Sequence, residues 1–138
     1  ATSLLLLCDC GGSNGYRRYL FKQYLQMLAD RLQLDVQVAH YPPYTSKYNP
    51  IEHRLFPHVT RACAGVSLTD LQTAVQLMRK TRTRTGLRVT VEVVNKYYAT
   101  GQKYSPEFRA AMPLELDEEL PAWNYRAMPG AASGLILN

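Results

Sequence analysis

The sequence predicts an α/β domain built on a parallel strand–helix–strand crossover. Three observations carry this expectation. Leu4 to Cys8 is apolar at every position, the pattern of a strand in a parallel sheet covered on both faces. Tyr16 to Leu32 follows, with Leu20, Phe21, Tyr24, Leu25, Leu28 and Leu32 at helical spacing. Asp35 to His40 then alternates, with Val36 and Val38 on one face. Strand, helix and strand within about 37 residues make one right-handed crossover, so the two strands should run parallel.

Each remaining element has its own signal. Gly11-Gly12-Ser13-Asn14-Gly15 ends the first strand, and Ser13 or Asn14 can cap the next helix. The polar side of that helix carries Arg17, Lys22, Gln26 and Asp30. Pro42-Pro43 ends the second strand. Asn49 as N-cap and Pro50 in the first helical position open another helix, with Ile51, Leu55, Phe56 and Val59 as its apolar face. Pro57 inside it predicts a kink or an early stop. Ser67-Leu-Thr-Asp70 resembles a capping box and predicts a helix to about Lys80, with Leu68, Leu71, Val75 and Met78 inward. Leu87 to Val94 alternates valine with Arg88, Thr90 and Glu92, which predicts a half-exposed strand. Ser105-Pro106-Glu107 opens a short last helix. Glu115, Asp117, Glu118 and Glu119 follow, then Pro129-Gly-Ala-Ala-Ser-Gly134, which reads as a tail packed on the domain or on a neighbour.

The bulk composition narrows the function. A chain of 138 residues with 46% hydrophobic content suits one globular domain. No apolar run approaches the roughly 18 residues of a membrane span, and residues 1–8 are too short for a signal peptide. A net charge of +5 favours polyanionic partners. Cys8, Cys10 and Cys63 make an odd count with no CxxC pair. That argues against a disulfide framework and a structural zinc site, and for a reducing, cytoplasmic setting.

Two carboxylates carry the candidate chemistry. Asp9 stands at the carboxyl end of the first strand, where open α/β sheets place their sites, with a glycine turn after it. Glu52 opens the helix beyond the second strand. By itself Asp9 is equally a cap for the turn, and Glu52 at the third helical position reads more readily as reaching back to the Asn49 amide, the ordinary use of such a Glu. Together, at the ends of adjacent parallel strands, they can hold Mg²⁺ against phosphate oxygens. Two such ions about 4 Å apart can grip both oxygens of an in-line phosphoryl displacement. Such sites usually need three acids, and this chain supplies two.

Around them lie basic residues. Arg79-Lys80-Thr-Arg82-Thr-Arg84-Thr-Gly-Leu-Arg88 is the densest positive run, suited to successive DNA phosphates or to an ordinary solvated face. Lys47, Arg54 and Arg61 lie near Glu52 in sequence. His53 can contact a phosphate or orient Glu52, or simply sit half-exposed on its helix; it is five positions from His58, poor spacing for joint ligation. His40 reads as structural. Tyr41, Tyr44 and Tyr48 can stack on splayed bases or pack the Pro-rich turn.

The block Tyr-x-x-x-x-Asn-Pro-Ile-Glu at residues 44–52, with Asp-Cys-Gly-Gly-Ser-Asn at residues 9–14, resembles the second half of a DDE transposase catalytic domain. It is most similar to mariner-like enzymes and their bacterial insertion-sequence relatives, over about residues 3–100. The resemblance implies an RNase H-like fold, here partial: the parallel strand–helix–strand–helix unit, an extra helix and a C-terminal strand or hairpin. Residues 1–104 would be the carboxyl-terminal half of that catalytic domain and residues 105–138 a short helix and tail. It implies Mg²⁺- or Mn²⁺-dependent cleavage and joining of DNA through a two-metal site. Asp9 would match the second catalytic Asp and Glu52 the final Glu, with Lys47, His53, Arg54, Arg79, Lys80, Arg82, Arg84 and Arg88 on the DNA. Transposon ends and target DNA would be the partners, in a bacterial, nucleoid-associated setting. Glu52 lies 43 positions after Asp9, somewhat longer than in mariner-type enzymes. No residue here matches the family's first catalytic Asp, so the chain alone is expected to hold metal weakly and not to cleave DNA. A missing first strand would leave the Leu4–Cys8 edge unpaired and apolar, a route to a homodimer.

Two rival functions stand beside this one. One is a non-enzymatic DNA-binding or assembly module. The other is a cysteine hydrolase with Cys10 as nucleophile and His40 or His53 as base.

Overall fold

A four-stranded mixed sheet organises the chain, and it is the sheet that places Asp9. The computed structural model describes residues 1–135. Its strands are β1 (Ser3–Cys8), β2 (Asp35–His40), β3 (Glu115–Leu116) and β4 (Asn124–Ala127), in the spatial order β1-β2-β4-β3. The helices are α1 (Tyr19–Leu32), α2 (Pro50–Arg54), α3 (Phe56–Cys63), α4 (Leu71–Arg79) and α5 (Pro106–Ala111). The chain forms two compact units, one of residues 1–46 with the chain from 99 onward, the other of residues 47–98.

In the first unit β1 pairs with β2 in parallel, from Ser3 beside Asp35 to Cys8 beside His40, as the crossover predicts. β4 then adds to β2 antiparallel, with Val38 opposite Tyr125 and Val36 opposite Ala127. The segment read as a packed tail thus contributes two strands; residues 136–138 of it lie outside the described residues. On one sheet face Val36, Val38, Tyr125 and Ala127 meet Leu25 and Ala29 of α1, Phe108 of α5 and Leu114, with Leu6, Cys8 and Phe21 alongside. Ser105 caps α5 by accepting the Phe108 amide at 3.1 Å, and Pro106 takes the first turn, as expected.

The expectation that Leu4–Cys8 is covered on both faces does not hold. β1 is an edge strand, and Leu5 and Leu7 remain 56% and 53% exposed. α1 begins at Tyr19, not Tyr16, because Gly12–Asn14 forms a 3₁₀ turn, and neither Ser13 nor Asn14 caps it. Its buried face is also turned from the leucine stripe. Gln23 and Gln26 are buried with Leu25 and Ala29, whereas Tyr24, Leu28 and Leu32 are exposed. The reason is tertiary. The Gln23 side chain accepts the Ser105 amide at 2.7 Å, and the Gln26 amide donates to the Met128 carbonyl at 2.8 Å. Two distant segments therefore claim that side of the helix.

In the unit of residues 47–98, Asn49 caps α2 through the Ile51 amide and Pro50 leads it. The single expected helix is split at Leu55 into α2 and α3, and Pro57 falls in the first turn of α3, where its missing N–H costs nothing. α4 starts one turn later than the Ser67 signal, because Asp70 is the cap that accepts Thr73 N–H, at 2.7 Å. Leu68 and Leu71 consequently stay exposed. The strand expected over Leu87–Val94 is absent. Only an isolated bridge joins Arg82 and Arg88, and Arg79 donates two hydrogen bonds to the Val91 carbonyl that a ladder would need.

One buried cluster locks the end of the sheet from which Asp9 leaves. His40 is 6% exposed. Its Nδ1 contacts the Asp9 carbonyl at 3.3 Å and its Nε2 the Tyr125 hydroxyl at 2.7 Å. A carbonyl only accepts, so Nδ1 carries the proton and Nε2 accepts from Tyr125. Burial pulls the His40 pKa below its ordinary 6.5, against the opposing bond to Asp9, and burial pushes the Tyr125 phenol upward.

Two outcomes follow from these contacts. Phe108→Ala removes a fully buried ring and should lower unfolding free energy by about 3–5 kcal/mol in a denaturant titration. As pH falls below 6.5 the unfolded chain takes up a proton that folded His40 refuses. The unfolded state then binds more protons, and stability drops with falling pH. Thermal unfolding between pH 7 and pH 5 should show this, and His40→Gln should flatten the dependence; an equally steep fall in the variant refutes the assignment.

Candidate functional site

Asp9 sits one residue beyond β1, exposed, on a turn that the sequence fixes from several sides. Its carbonyl is held by His40 and one carboxylate oxygen accepts the Gly11 amide at 3.3 Å. The Cys10 thiol donates to the Tyr41 carbonyl at 2.9 Å. Tyr16 closes the turn by stacking on Trp123, centroids 4.5 Å apart. A Cβ on Gly11 would stand 3.2 Å from the second Asp9 carboxylate oxygen, so a larger residue there would displace that exposed carboxylate slightly. Among the described residues that second oxygen accepts no hydrogen bond.

Glu52 belongs to the other unit, in the first turn of α2. The reach back to the Asn49 amide, the ordinary structural use of such a Glu, does not occur. Among the described residues its half-buried carboxylate makes no hydrogen bond or ion pair. Among the described residues neither carboxylate is paired with a cationic side chain. Each is a hard oxygen donor of the kind a divalent cation accepts. Among the described residues no three His, Cys, Asp or Glu side chains gather into a metal-holding group.

The predicted DNA-contact residues all lie in the unit of residues 47–98, and all are exposed: Lys47, His53, Arg54, Arg79, Lys80, Arg82, Arg84 and Arg88. His53 donates to the Lys47 carbonyl at 2.5 Å, which ties the motif's loop to its helix. Arg79 has two donors committed to Val91, so it braces the segment as well as charging it. Arg82 and Arg88 face each other across a tight turn closed by Thr83, which bonds Gly86 and Leu87. Arg84 projects from that turn. Among the described residues none of these cations pairs with a carboxylate. This unit carries nine Lys/Arg against three Asp/Glu, net +6, and the remaining chain seven against eight. Tyr41 is half-buried, while Tyr44 is fully exposed at φ 63° and Tyr48 lies exposed beneath Lys47.

The thiol of Cys10 is poorly set up as a nucleophile. Burial pushes its pKa up, and the neighbouring Asp9 charge adds to that. Both nitrogens of His40 are already engaged, so it is not free to act as a base.

Sequence reasoning missed Arg18, Lys103 and Tyr104, which line a cavity beside the Asp9 turn. The adjacent basic and aromatic residues in Tyr16-Arg-Arg-Tyr19 and Lys103-Tyr104 were the available signal, but nothing local indicates that they meet.

Comparison with curated proteins finds no match, and comparison with solved structures finds none. The family model for the Rhodopirellula transposase DDE domain matches residues 1–129. That match spans nearly the whole chain, including Asp9 and Glu52, and the chain belongs to this family of transposase DDE domains.

Proposed function

We propose that the chain supplies two carboxylates, Asp9 and Glu52, and a basic DNA-holding surface to an enzyme that cuts and joins DNA strands. The observation that carries this is chemical. Among the described residues each carboxylate of the two family motifs is free of any cationic side chain and stands on backbone held by neighbouring residues. The β1–α1–β2 crossover with Asp9 at its end supports an RNase H-like core, of which this chain is the carboxyl-terminal half.

A bound Mg²⁺ or Mn²⁺ would polarise the phosphodiester and activate the attacking water or hydroxyl. The chain's own part is to place acceptors and hold the substrate. Asp9 offers the oxygen that Gly11 does not bind, and Glu52 offers both of its own. Arg82, Arg84 and Arg88, with Lys80 and Lys47, neutralise backbone phosphates and release counterions on binding. His53 keeps the Asn49–Glu52 turn in place through Lys47. A two-ion site wants a third acid, so on this reading the chain alone binds a cation weakly and does not cleave. The open, uncharged edge of β1 with exposed Leu5 and Leu7 favours pairing with a second copy.

Titration with Mn²⁺, read by electron paramagnetic resonance, should give weak binding that Asp9→Asn or Glu52→Gln reduces at least tenfold, with no nicking of supercoiled DNA in Mg²⁺. Binding indifferent to both substitutions, or nicking that Asp9→Ala abolishes, contradicts this account. Salt-sensitive DNA binding without any Mn²⁺ site favours the non-enzymatic module instead. In sedimentation, the chain should dimerise at micromolar concentration and Leu5→Lys should shift it to monomer; a monomeric parent chain removes the β1 pairing.

A further inference from the structure

A cavity of about 1070 Å³ opens within the unit that carries Asp9, at the upper end of the range for small-molecule sites. Its rim includes Gly12 and Ser13, from the same turn that holds Asp9. Arg17, Arg18 and Lys103 line it, with Tyr19, Tyr24 and Tyr104, and no carboxylate is among its lining residues. All three cations are exposed and, among the described residues, unpaired with any acid. No ion pair among the described residues therefore neutralises the cations of this wall.

The tyrosines are not core residues. Tyr24 is exposed, and Tyr19 and Tyr104 are half-buried. The Tyr19 and Tyr104 rings lie 5.2 Å apart, tilted at 43°. Arg109 fixes them: its guanidinium carbon stands 5.1 Å from the Tyr19 centroid and 6.0 Å from that of Tyr104, and it donates to the Tyr104 hydroxyl at 3.1 Å. The Tyr24 hydroxyl donates to Gln102. The rings are thus set without a ligand, and cations surround them.

We infer that this cavity takes an unpaired nucleotide of a DNA strand, its phosphates on Arg17, Arg18 and Lys103 and its base against the tyrosines. Rings inside a cavity are useless to a duplex, whose bases are stacked on one another and whose surface presents phosphate. An unstacked base offers the face that an aromatic wall needs. Gly12 and Ser13, which line the cavity, belong to the turn that follows Asp9 in the chain. That DNA is the strand concerned rests on the proposed function; the chemistry of the cavity does not.

Fluorescence anisotropy in EDTA decides the matter, with a labelled 12-nucleotide single strand and the same sequence as a blunt duplex. EDTA makes the result independent of any cation at Asp9 and Glu52, so this inference and the transposase reading can fail separately. Tyr104→Ala should weaken single-strand binding about tenfold and leave duplex binding within about twofold. Tyr104→Phe, which keeps the ring and loses the Arg109 bond, should retain it. Lys103→Glu and Arg17→Glu, both at exposed positions, should weaken the single strand more than the duplex, and they carry the test should Tyr104→Ala not fold. Equal losses on both substrates, or none on either, overturn the inference.

Discussion

The His40 side chain is the tie on which the candidate site depends. It belongs to β2, accepts a hydrogen bond from the Tyr125 hydroxyl of β4 on one ring nitrogen and donates one to the Asp9 carbonyl from the other. Three segments distant in sequence are thus joined at the point where Asp9 leaves the sheet. Two short strands alone define such a point loosely. A buried, fully satisfied network defines it sharply, because each member would lose its partner in low dielectric if it moved. Tyr16 stacked on Trp123 adds an apolar lid to the same cluster. The carboxylate itself stays outside, in water, where it needs no compensating charge.

What the sequence made legible was local. The apolar run of β1, the alternation of β2 and the crossover between them follow from side-chain period. Asn49-Pro50 and Ser105-Pro106 announced helix starts because capping is settled within three residues. What stayed hidden was set by contacts between distant residues. β4 is a four-residue strand whose pairing with β2 spans some 85 positions, and nothing nearby in the chain signals it. The buried side of α1 turned toward Gln23 and Gln26 because Ser105 and Met128 offered partners, which outweighed the leucine stripe. Leu87–Val94 had the right alternation but no neighbouring strand to complete it, and alternation without a partner is not a strand. The candidate site divides the same way. Asp9 and Glu52 were legible from motif and position, whereas Gly11's role, the His40 tie and the aromatic cavity required coordinates.

Charge is distributed as unevenly as structure. The excess of cations belongs wholly to residues 47–98, while the unit bearing Asp9 is slightly acidic overall. A chain-wide net charge of +5 therefore understates how basic one part is. On the proposed function, sequence-independent attraction to a phosphate backbone would come from the unit that carries Glu52, through residues that fix position and read no bases. In the acidic unit the basic residues are few, and some are already engaged. Arg126 pairs with Asp35 and faces Glu115, and Arg109 lies over two tyrosines. Arg17, Arg18 and Lys103 stand out against that background because they gather at one cavity with no acid beside them.

This separation bears on how the two carboxylates can be interrogated. A carboxylate held in a buried ion pair cannot be removed without leaving an uncompensated charge, so loss of function and loss of fold are confounded. Neither Asp9 nor Glu52 is in that position. Among the described residues the Asp9 carboxylate has one hydrogen bond, from a backbone amide that can donate equally to an asparagine oxygen at the same place. Glu52 has none among the described residues, and its contribution to α2 is the modest one of a negative charge in a helix's first turn. The fold does not need either charge. An amide in place of either group keeps its shape and removes its negative charge, so whatever such a substitution changes reports on the chemistry of that group and not on the folding of the domain.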